Sequence, residues 1–238
     1  MTGQRKDSAA APWAVHAFTA SGAVFALLAL VAVLDHDVRA ALAWLAVAII
    51  VDGVDGTLAR RARVKERLPR IDGDALDLII DYLTYVFIPA LIIWRGGHLP
   101  DPLELPLTAA ILLSSLYTFA RRDMKTDDGY FRGFPALWII VAFYFAILPI
   151  AGGLAAVIVA ALVALTFAPI LVIHPFRARD FGIWPVAVTA LAAAASFALL
   201  VAAWPANIEA LLEGTTAVSA LVLLAMGLVR TVRDPKVQ

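Results

Sequence analysis

Eight long apolar segments limit what this chain can fold into, because a helix of about 20 apolar residues spans the hydrocarbon core of a bilayer. The segments are 13–34, 38–54, 74–94, 103–120, 134–150, 153–173, 183–204 and 211–229. Of the 238 residues, 62% are hydrophobic and 16% are charged, a composition unlike that of soluble domains. The sequence therefore predicts an all-α fold: a polytopic integral membrane helix bundle with about eight transmembrane helices.

The cations are distributed very unevenly between the loops that join these segments. With eight spans, seventeen of the 19 Lys and Arg residues fall on one side of the membrane, and only Arg39 and Arg95 fall on the other. Cytoplasmic loops carry the excess of Lys and Arg in membrane proteins. We therefore expect both termini on the cytoplasmic side. The cations on that side are Arg5, Lys6, Arg60, Arg61, Arg63, Lys65, Arg67, Arg70, Arg121, Arg122, Lys125, Arg132, Arg177, Arg179, Arg230, Arg233 and Lys236.

Composition also excludes several kinds of protein. The formal net charge is zero, so no global field favours nucleic acid as a partner. The chain has no cysteine, which excludes disulfide bonds and thiolate metal sites. No internal repeat or linker-like region interrupts it, and we therefore expect a single integral membrane domain over residues 1–238.

Four aspartates lie around the end of the second apolar segment and the start of the third. Asp52 and Asp55 are three residues apart, and Asp77 and Asp81 are four apart, so each pair lies on one face of a helix. Carboxylates that meet at apolar helix ends repel one another unless a cation lies between them. An all-oxygen set without His or Cys suits Mg²⁺ or Mn²⁺, and four carboxylates are enough for two ions. The stretch therefore predicts a divalent-metal site.

The residues beside the aspartates fit a ligand that carries phosphate. Gly56 and Ala59 leave room for a nucleotide at the helix surface, and Arg60 is a bidentate donor suited to phosphate oxygens. Simpler explanations exist for each feature alone, since a single Asp at a helix end is usually a solvated cap. A basic segment usually sets topology or binds anionic lipid. Neither explanation accounts for two carboxylates inside the third apolar segment, so a metal site is the better interpretation.

The spacing of these residues resembles the signature of the CDP-alcohol phosphatidyltransferases. All eight signature positions are present, as Asp52-x-x-Asp55-Gly56-x-x-Ala59-Arg60, twelve further residues, and Gly73-x-x-x-Asp77-x-x-x-Asp81. The resemblance implies a membrane enzyme that displaces CMP from a CDP-linked lipid with an alcohol. It implies that the four aspartates surround two divalent ions and that Asp81 is the general base. It also implies that Gly56, Ala59 and Arg60 contact the CDP moiety and that Gly73 belongs to the same binding site by allowing close packing near that moiety.

Three further segments resemble the bacterial phosphatidylcholine synthase branch of this family. They are 16–22 (HAFTASG), 131–138 (FRGFPALW) and 174–177 (HPFR). This resemblance implies CDP-diacylglycerol and choline as substrates, a place in the bacterial inner membrane with the active site facing the cytoplasm, and a homodimer. Two alternatives stay open: a phosphatidylserine synthase with serine as the acceptor, and a cation transporter that uses the aspartates as its ion site.

The acceptor would be selected by side chains outside the signature. A quaternary ammonium group is best held by aromatic faces and carboxylates. The rings at or near the cytoplasmic ends are Tyr82, Tyr85, Tyr117, Phe119, Tyr130, Phe131, Phe134, Trp138 and Tyr144. Tyr and Trp are common at membrane interfaces in any case, and an acidic acceptor would instead favour the cations Arg121, Arg122, Lys125 and Arg132. From the sequence alone, the acceptor is therefore open.

Overall fold

The computed structural model describes residues 10–233, which are mainly helical. The helices are α1 (Ala10–Leu34), α2 (Val38–Ala62), α3 (Val64–Arg67), α4 (Gly73–Asp81), α5 (Ile88–Arg95), α6 (Glu104–Ala120), α7 (Trp138–Ile147), α8 (Gly152–Thr166), α9 (Trp184–Val201) and α10 (Ala206–Arg233). A π-helical segment, Tyr82–Phe87, joins α4 to α5. Strands β1 (Tyr130–Arg132) and β2 (Leu171–Ile173) pair antiparallel.

Five helical stretches within residues 10–233 are long and apolar enough to cross a membrane. They are Ala10–Leu34, Val38–Ala62, Gly73–Arg95, Trp184–Val201 and Ala206–Arg233. The three shorter apolar helices are Glu104–Ala120, Trp138–Ile147 and Gly152–Thr166. The prediction of a mainly helical fold is therefore confirmed, with five stretches that could span a membrane, whereas the count of eight stays a prediction.

The chain divides into two compact units, one up to Ile92 and one from Ile93 onward. The prediction of a single domain over residues 1–238 is untested and stays a prediction. The cytoplasmic orientation of the termini also stays a prediction. Three of the cations on which it rests, Arg5, Lys6 and Lys236, lie outside the described residues.

Two predicted segment ends differ from the structure at prolines. The fifth segment, 134–150, is helical only from Trp138 to Ile147, between Pro135 and Pro149. In the sixth, 153–173, the helix ends at Thr166 and residues 171–173 form β2, so the prediction of helix to residue 173 is wrong. Proline lacks the backbone N–H and disfavours the helical conformation of the residue before it, and Pro169 lies in this gap. The fold therefore contains one small sheet as well as helices.

In the first unit, α1 packs against both α2 and α4 through small residues. Its buried positions include Gly22, Ala26 and Ala29, which recur at the three- and four-residue spacing of one helix face. A Cβ atom at Gly22 would overlap the side chain of Ile80 on α4. Small residues let helix backbones approach closely in a membrane. Helix α1 therefore holds in place the two helices that carry the aspartates.

Local caps define the connection between α2 and α4. Arg63 ends α2 in a left-handed conformation (φ 50°), and its backbone N–H bonds to carbonyls of the last turn. Asp72 begins α4, because its side chain accepts hydrogen bonds from the backbone N–H groups of Asp74 and Ala75, both at 3.1 Å. Val64, in the short helix between them, is buried. Helix α2 is thus eight residues longer than the predicted second segment.

In the second unit, β1 and β2 belong to a buried polar and apolar cluster. Tyr130 and Leu171 are almost fully buried there, and the Tyr130 hydroxyl donates to Asp180 Oδ2 at 3.1 Å. Burial, and then the charge of Asp180, raise the pKa of Tyr130 to about 12. Arg230 on α10 forms ion pairs with Asp128 at 2.8 Å and with Asp180 at 3.1 Å. These contacts tie α10 to the strand pair.

Candidate functional site

Three of the four predicted aspartates meet in the first unit. Asp52 and Asp55 on α2 and Asp77 on α4 each offer one carboxylate oxygen, and these oxygens lie within 4.8 Å of one another. Asp55 is buried, with 6% of its surface exposed. Asp81, one turn after Asp77, is not part of this three-aspartate cluster. Of the two predicted pairs, the structure therefore brings together both residues on α2 and the first residue on α4.

Two hydroxyl groups orient the carboxylates of the three-aspartate cluster. Thr19 Oγ1 on α1 donates to Asp55 Oδ2 at 2.7 Å. The Tyr85 hydroxyl donates to Asp52 Oδ2, also at 2.7 Å. Hydrogen bonds of this kind fix the direction in which a carboxylate presents its remaining lone pairs. Tyr85 was one of the rings considered for choline, and its hydroxyl is instead bonded to the cluster.

The π-helical segment explains how Tyr85 reaches Asp52. A π turn holds more residues than an α turn, so side chains within and after it are rotated relative to an uninterrupted α-helix. The Thr84 hydroxyl, in the same segment, donates a hydrogen bond to the carbonyl oxygen of Ile80 at 3.0 Å. Such single π turns occur frequently at functional sites. The segment 82–87 has no proline or glycine that would have signalled the π turn in advance.

A cavity of about 480 Å³ adjoins the three-aspartate cluster. Its volume lies within the range of about 300–1,000 Å³ that is typical of small-ligand sites. Six of the eight signature residues line it, namely Asp55, Gly56, Ala59, Arg60, Gly73 and Asp77. The residues that the sequence predicted for a nucleotide thus share one cavity with two of the predicted metal ligands.

The two signature glycines face different surroundings. A Cβ atom at Gly56 would meet only Arg60 Nη1, at 3.4 Å, so this backbone borders open space in the cavity. A Cβ atom at Gly73 would lie 3.1 Å from Cε1 of His16, closer than ordinary van der Waals contact. The sequence predicted that Gly73 allows close packing near the nucleotide. The group packed against Gly73 in the structure is the imidazole ring of His16.

The rim of the cavity carries charges of both signs. Arg60 is exposed, and its Nη2 donates to Thr57 Oγ1 at 3.0 Å. Lys65 Nζ lies 2.6 Å from Asp74 Oδ2, with both side chains largely exposed. The hydrogen bond to Asp74, and then the charge of that carboxylate, raise the pKa of Lys65. An exposed pair of this kind adds little stability, but it joins the connection between α2 and α4 to the first turn of α4.

Two of the aromatic side chains considered for choline have structural partners in the second unit. Trp138 is fully buried, and its Nε1–H donates to Ser115 Oγ at 2.9 Å. Tyr130 is bonded to Asp180, as described above. A ring that is enclosed on all sides presents no face to a ligand. Trp138 and Tyr130 therefore stabilise the fold.

Comparison with known proteins extends the match beyond the signature. The family model described as CDP-alcohol phosphatidyltransferase matches residues 15–168. The chain is 49% identical over 200 residues to a phosphatidylcholine synthase of Pseudomonas aeruginosa, covering 84% of each chain. It is 47% identical to one of Bradyrhizobium diazoefficiens, over 71% of this chain and 63% of the relative. It is 41% identical to one of Agrobacterium fabrum, over 70% and 69%.

The family match covers more than half of the chain and includes α1, α2 and α4, the three helices that form the aspartate cluster and its cavity. The match also contains all eight signature positions. The protein therefore belongs to the CDP-alcohol phosphatidyltransferases, a family of membrane-bound transferases.

Proposed function

We propose that the protein is a phosphatidylcholine synthase, which transfers the phosphatidyl group of CDP-diacylglycerol to choline and releases CMP. The observation that carries the proposal is the 49% identity to a relative of that name over 84% of both chains. The cavity beside the three-aspartate cluster supports it, because a nucleoside diphosphate needs both a site for its phosphates and room for its ring.

The reaction is a displacement at phosphorus. The hydroxyl oxygen of choline attacks the phosphorus atom of the phosphate that is esterified to diacylglycerol. The bond from that phosphorus atom to the bridging oxygen breaks, and CMP leaves with the electron pair. The hydroxyl proton passes to a carboxylate, and we assign this role of general base to Asp81, as the family resemblance implies. We assign contacts with the CDP moiety to Gly56, Ala59, Arg60 and Gly73.

The donor set fits a hard divalent cation. Three carboxylate oxygens within 4.8 Å of one another, two of them oriented by hydroxyl groups from other helices, suit Mg²⁺ or Mn²⁺. We propose that Asp52, Asp55 and Asp77 hold such an ion, with Asp81 completing the carboxylate set for a second. Bound there, the ions would neutralise negative charge on the diphosphate and on departing CMP.

The proposal includes a membrane topology and an assembly. We propose a homodimer in the bacterial inner membrane. Each chain forms a single domain with eight transmembrane helices, and both termini and the active site face the cytoplasm. The cations from Arg60 to Arg70 support this orientation, because they lie in the last turn of α2 and in the connection from α2 to α4, next to the aspartate cluster. Helix α7, with ten residues, is too short to span alone and would cross together with non-helical residues buried in protein.

The acceptor is tested with the purified full-length protein, CDP-diacylglycerol and Mn²⁺. Labelled choline is expected to enter the lipid fraction with equal release of CMP, while labelled serine is not incorporated. Incorporation of serine alone would assign the protein to phosphatidylserine synthesis. A transporter would instead move Mn²⁺ across proteoliposomes without CDP-diacylglycerol, and this flux is expected to be absent.

Tyr85→Phe is expected to raise the Mn²⁺ concentration required for half-maximal activity by about tenfold, because groups that orient a ligand tune metal affinity by about 10–100-fold. The substitution keeps the ring and removes only the hydroxyl group that donates to Asp52. Activity measured across a Mn²⁺ titration gives the shift. Tyr117→Phe is the control, since Tyr117 is nearly half exposed and lies outside the first unit. Equal Mn²⁺ dependence of Tyr85→Phe and wild type would contradict the orienting role.

A further inference from the structure

His16 on α1 is a buried imidazole that the signature does not include. Only 7% of its surface is exposed, and its Nε2 atom is buried with no hydrogen-bond partner within residues 10–233. A neutral imidazole carries one donor and one acceptor. Buried polar atoms almost always have a partner, because leaving one unpaired costs free energy. The Nε2 atom of His16 therefore has a hydrogen-bonding capacity that no described residue uses.

His16 lines the same cavity as the signature residues. It lies three residues before Thr19, so the two side chains share one face of α1. Thr19 is fixed to Asp55 by the hydrogen bond at 2.7 Å. The position of His16 relative to the three-aspartate cluster is thus set by a direct contact between α1 and α2, and His16 lines the cavity that adjoins the cluster.

The ring of His16 lies so close to the first residue of α4 that a side chain at residue 73 would require the ring to shift. A Cβ atom there would lie 3.1 Å from Cε1 and 3.7 Å from Nδ1 of His16. Cε1 lies between the two ring nitrogens, so the polar edge of the imidazole faces the first residue of α4. The torsion that turns a histidine ring is broad. Without a side chain at residue 73, the ring can turn to present a nitrogen atom to the cavity.

We propose that His16 is a ligand-contacting residue for the nucleotide head of the lipid substrate, and that Gly73 serves to accommodate its imidazole. The inference rests on the proposed function, since it takes the ligand of this cavity to be a nucleoside diphosphate. Such a ligand offers phosphate oxygens as acceptors and ribose hydroxyls as donors and acceptors, which match the two ring nitrogens. The orphaned Nε2 atom gains a partner when the cavity is filled.

The test measures CDP binding to the detergent-purified full-length protein in the presence of Mn²⁺ by calorimetry. His16→Ala is expected to weaken CDP binding by about tenfold, the equivalent of one hydrogen bond. His16→Asn, which keeps a donor and an acceptor, is expected to recover part of the loss. Truncating a buried ring leaves a cavity, so the melting temperature of ligand-free His16→Ala is expected to fall somewhat, and the increase caused by CDP should shrink as well. His98→Ala, outside the first unit, is the matched control.

The role of Gly73 is tested by combining the two substitutions. Gly73→Ala is expected to weaken CDP binding in the wild type, because the added methyl group displaces the ring. In the His16→Ala background the ring is gone, so Gly73→Ala should weaken CDP binding clearly less than it does in the wild type, through its own contact with the CDP moiety alone. Gly214→Ala is the control, since a Cβ atom at Gly214 on α10 would meet nothing within 4 Å. If the double variant loses CDP affinity by the full product of the two single losses, the proposed coupling between His16 and Gly73 is overturned.

The outcomes separate this inference from the function on which it rests. Wild-type protein that binds CDP, together with His16→Ala that binds it equally tightly, would overturn the contact with His16 and leave the proposed function intact. A lower melting temperature of ligand-free His16→Ala and His16→Asn, with an undiminished increase on adding CDP, would show a structural role only. Wild-type protein that fails to bind CDP with Mn²⁺ would overturn the proposed function itself.

Discussion

Asp81→Asn is expected to lower turnover by about 10³-fold or more while CDP binding stays close to that of the wild type. General-base catalysis contributes about 10²–10⁴-fold to rate, and asparagine has the shape of aspartate without its basicity. The three-aspartate cluster consists of Asp52, Asp55 and Asp77, and Asp81 is not among the residues that line the adjoining cavity. The substitution should therefore leave the nucleotide site intact while removing the proton acceptor.

The measurement is the rate of CMP release with CDP-diacylglycerol and choline, paired with calorimetric CDP affinity in Mn²⁺. Glu209→Gln, an exposed carboxylate at the start of α10, is the isosteric control and should retain wild-type rates. Near-normal turnover of Asp81→Asn would remove Asp81 from the mechanism. A parallel loss of CDP affinity would show that the contribution of Asp81 to the second ion is also required for nucleotide binding.

The candidate site was predictable to the extent that its residues are close in sequence. Asp52 and Asp55 lie one helical turn apart, so their common face follows from the spacing alone. The residues that orient the cluster could not be predicted in this way. Thr19 is 36 residues from Asp55, and Tyr85 is 33 residues from Asp52. Their contacts depend on how α1 packs and on a π turn, neither of which leaves a periodic pattern in the sequence.

The role of Gly73 could also be predicted only in part from the sequence. Its place in the signature implies close packing near the nucleotide, and in the structure a Cβ atom at this position would lie 3.1 Å from Cε1 of His16. Which group approaches it depends on His16 of α1, which lies more than 50 residues earlier in the chain. His16 was noted only within a segment that resembles one branch of the family. Its contact with Gly73 required the three-dimensional arrangement of α1 and α4.

The fold was predictable where apolar length dominates and less so where helices end. The first, third and seventh predicted segments agree with their helices to within a few residues. The second ends too early in the prediction, because Asp55 and Arg60 interrupt the apolar run although α2 continues through them. Helix α8 ends before Pro169, and the chain then pairs as β2 with β1. Apolar composition alone does not distinguish such a strand from the end of a helix.

Asp55→Asn is expected to abolish turnover and, in contrast to Asp81→Asn, also to remove the dependence of CDP binding on Mn²⁺. Asp55 is the buried member of the three-aspartate cluster and also lines the cavity, so it belongs to both the ion site and the nucleotide site. Converting it to an amide removes one negative charge from a site whose affinity for a hard cation depends on charge. Turnover should fall by about 10³-fold or more, the scale of a lost electrostatic contribution to the transition state.

Measurements on the protein without metal distinguish a folding defect from this loss of turnover. Asparagine keeps the volume of aspartate, and its carbonyl oxygen can still accept the hydrogen bond from Thr19. Without metal, the neutral side chain also lessens repulsion from Asp52 and Asp77, so the melting temperature in a chelator should equal or exceed that of the wild type.

Wild-type activity should disappear in the chelator and return with Mn²⁺. Thr19→Val, which removes only the hydrogen bond, should shift the Mn²⁺ requirement without abolishing turnover. Asp55→Asn that binds CDP with the Mn²⁺ dependence of the wild type would show that the cluster is not the ion site, because a three-carboxylate site cannot lose its buried ligand without losing affinity.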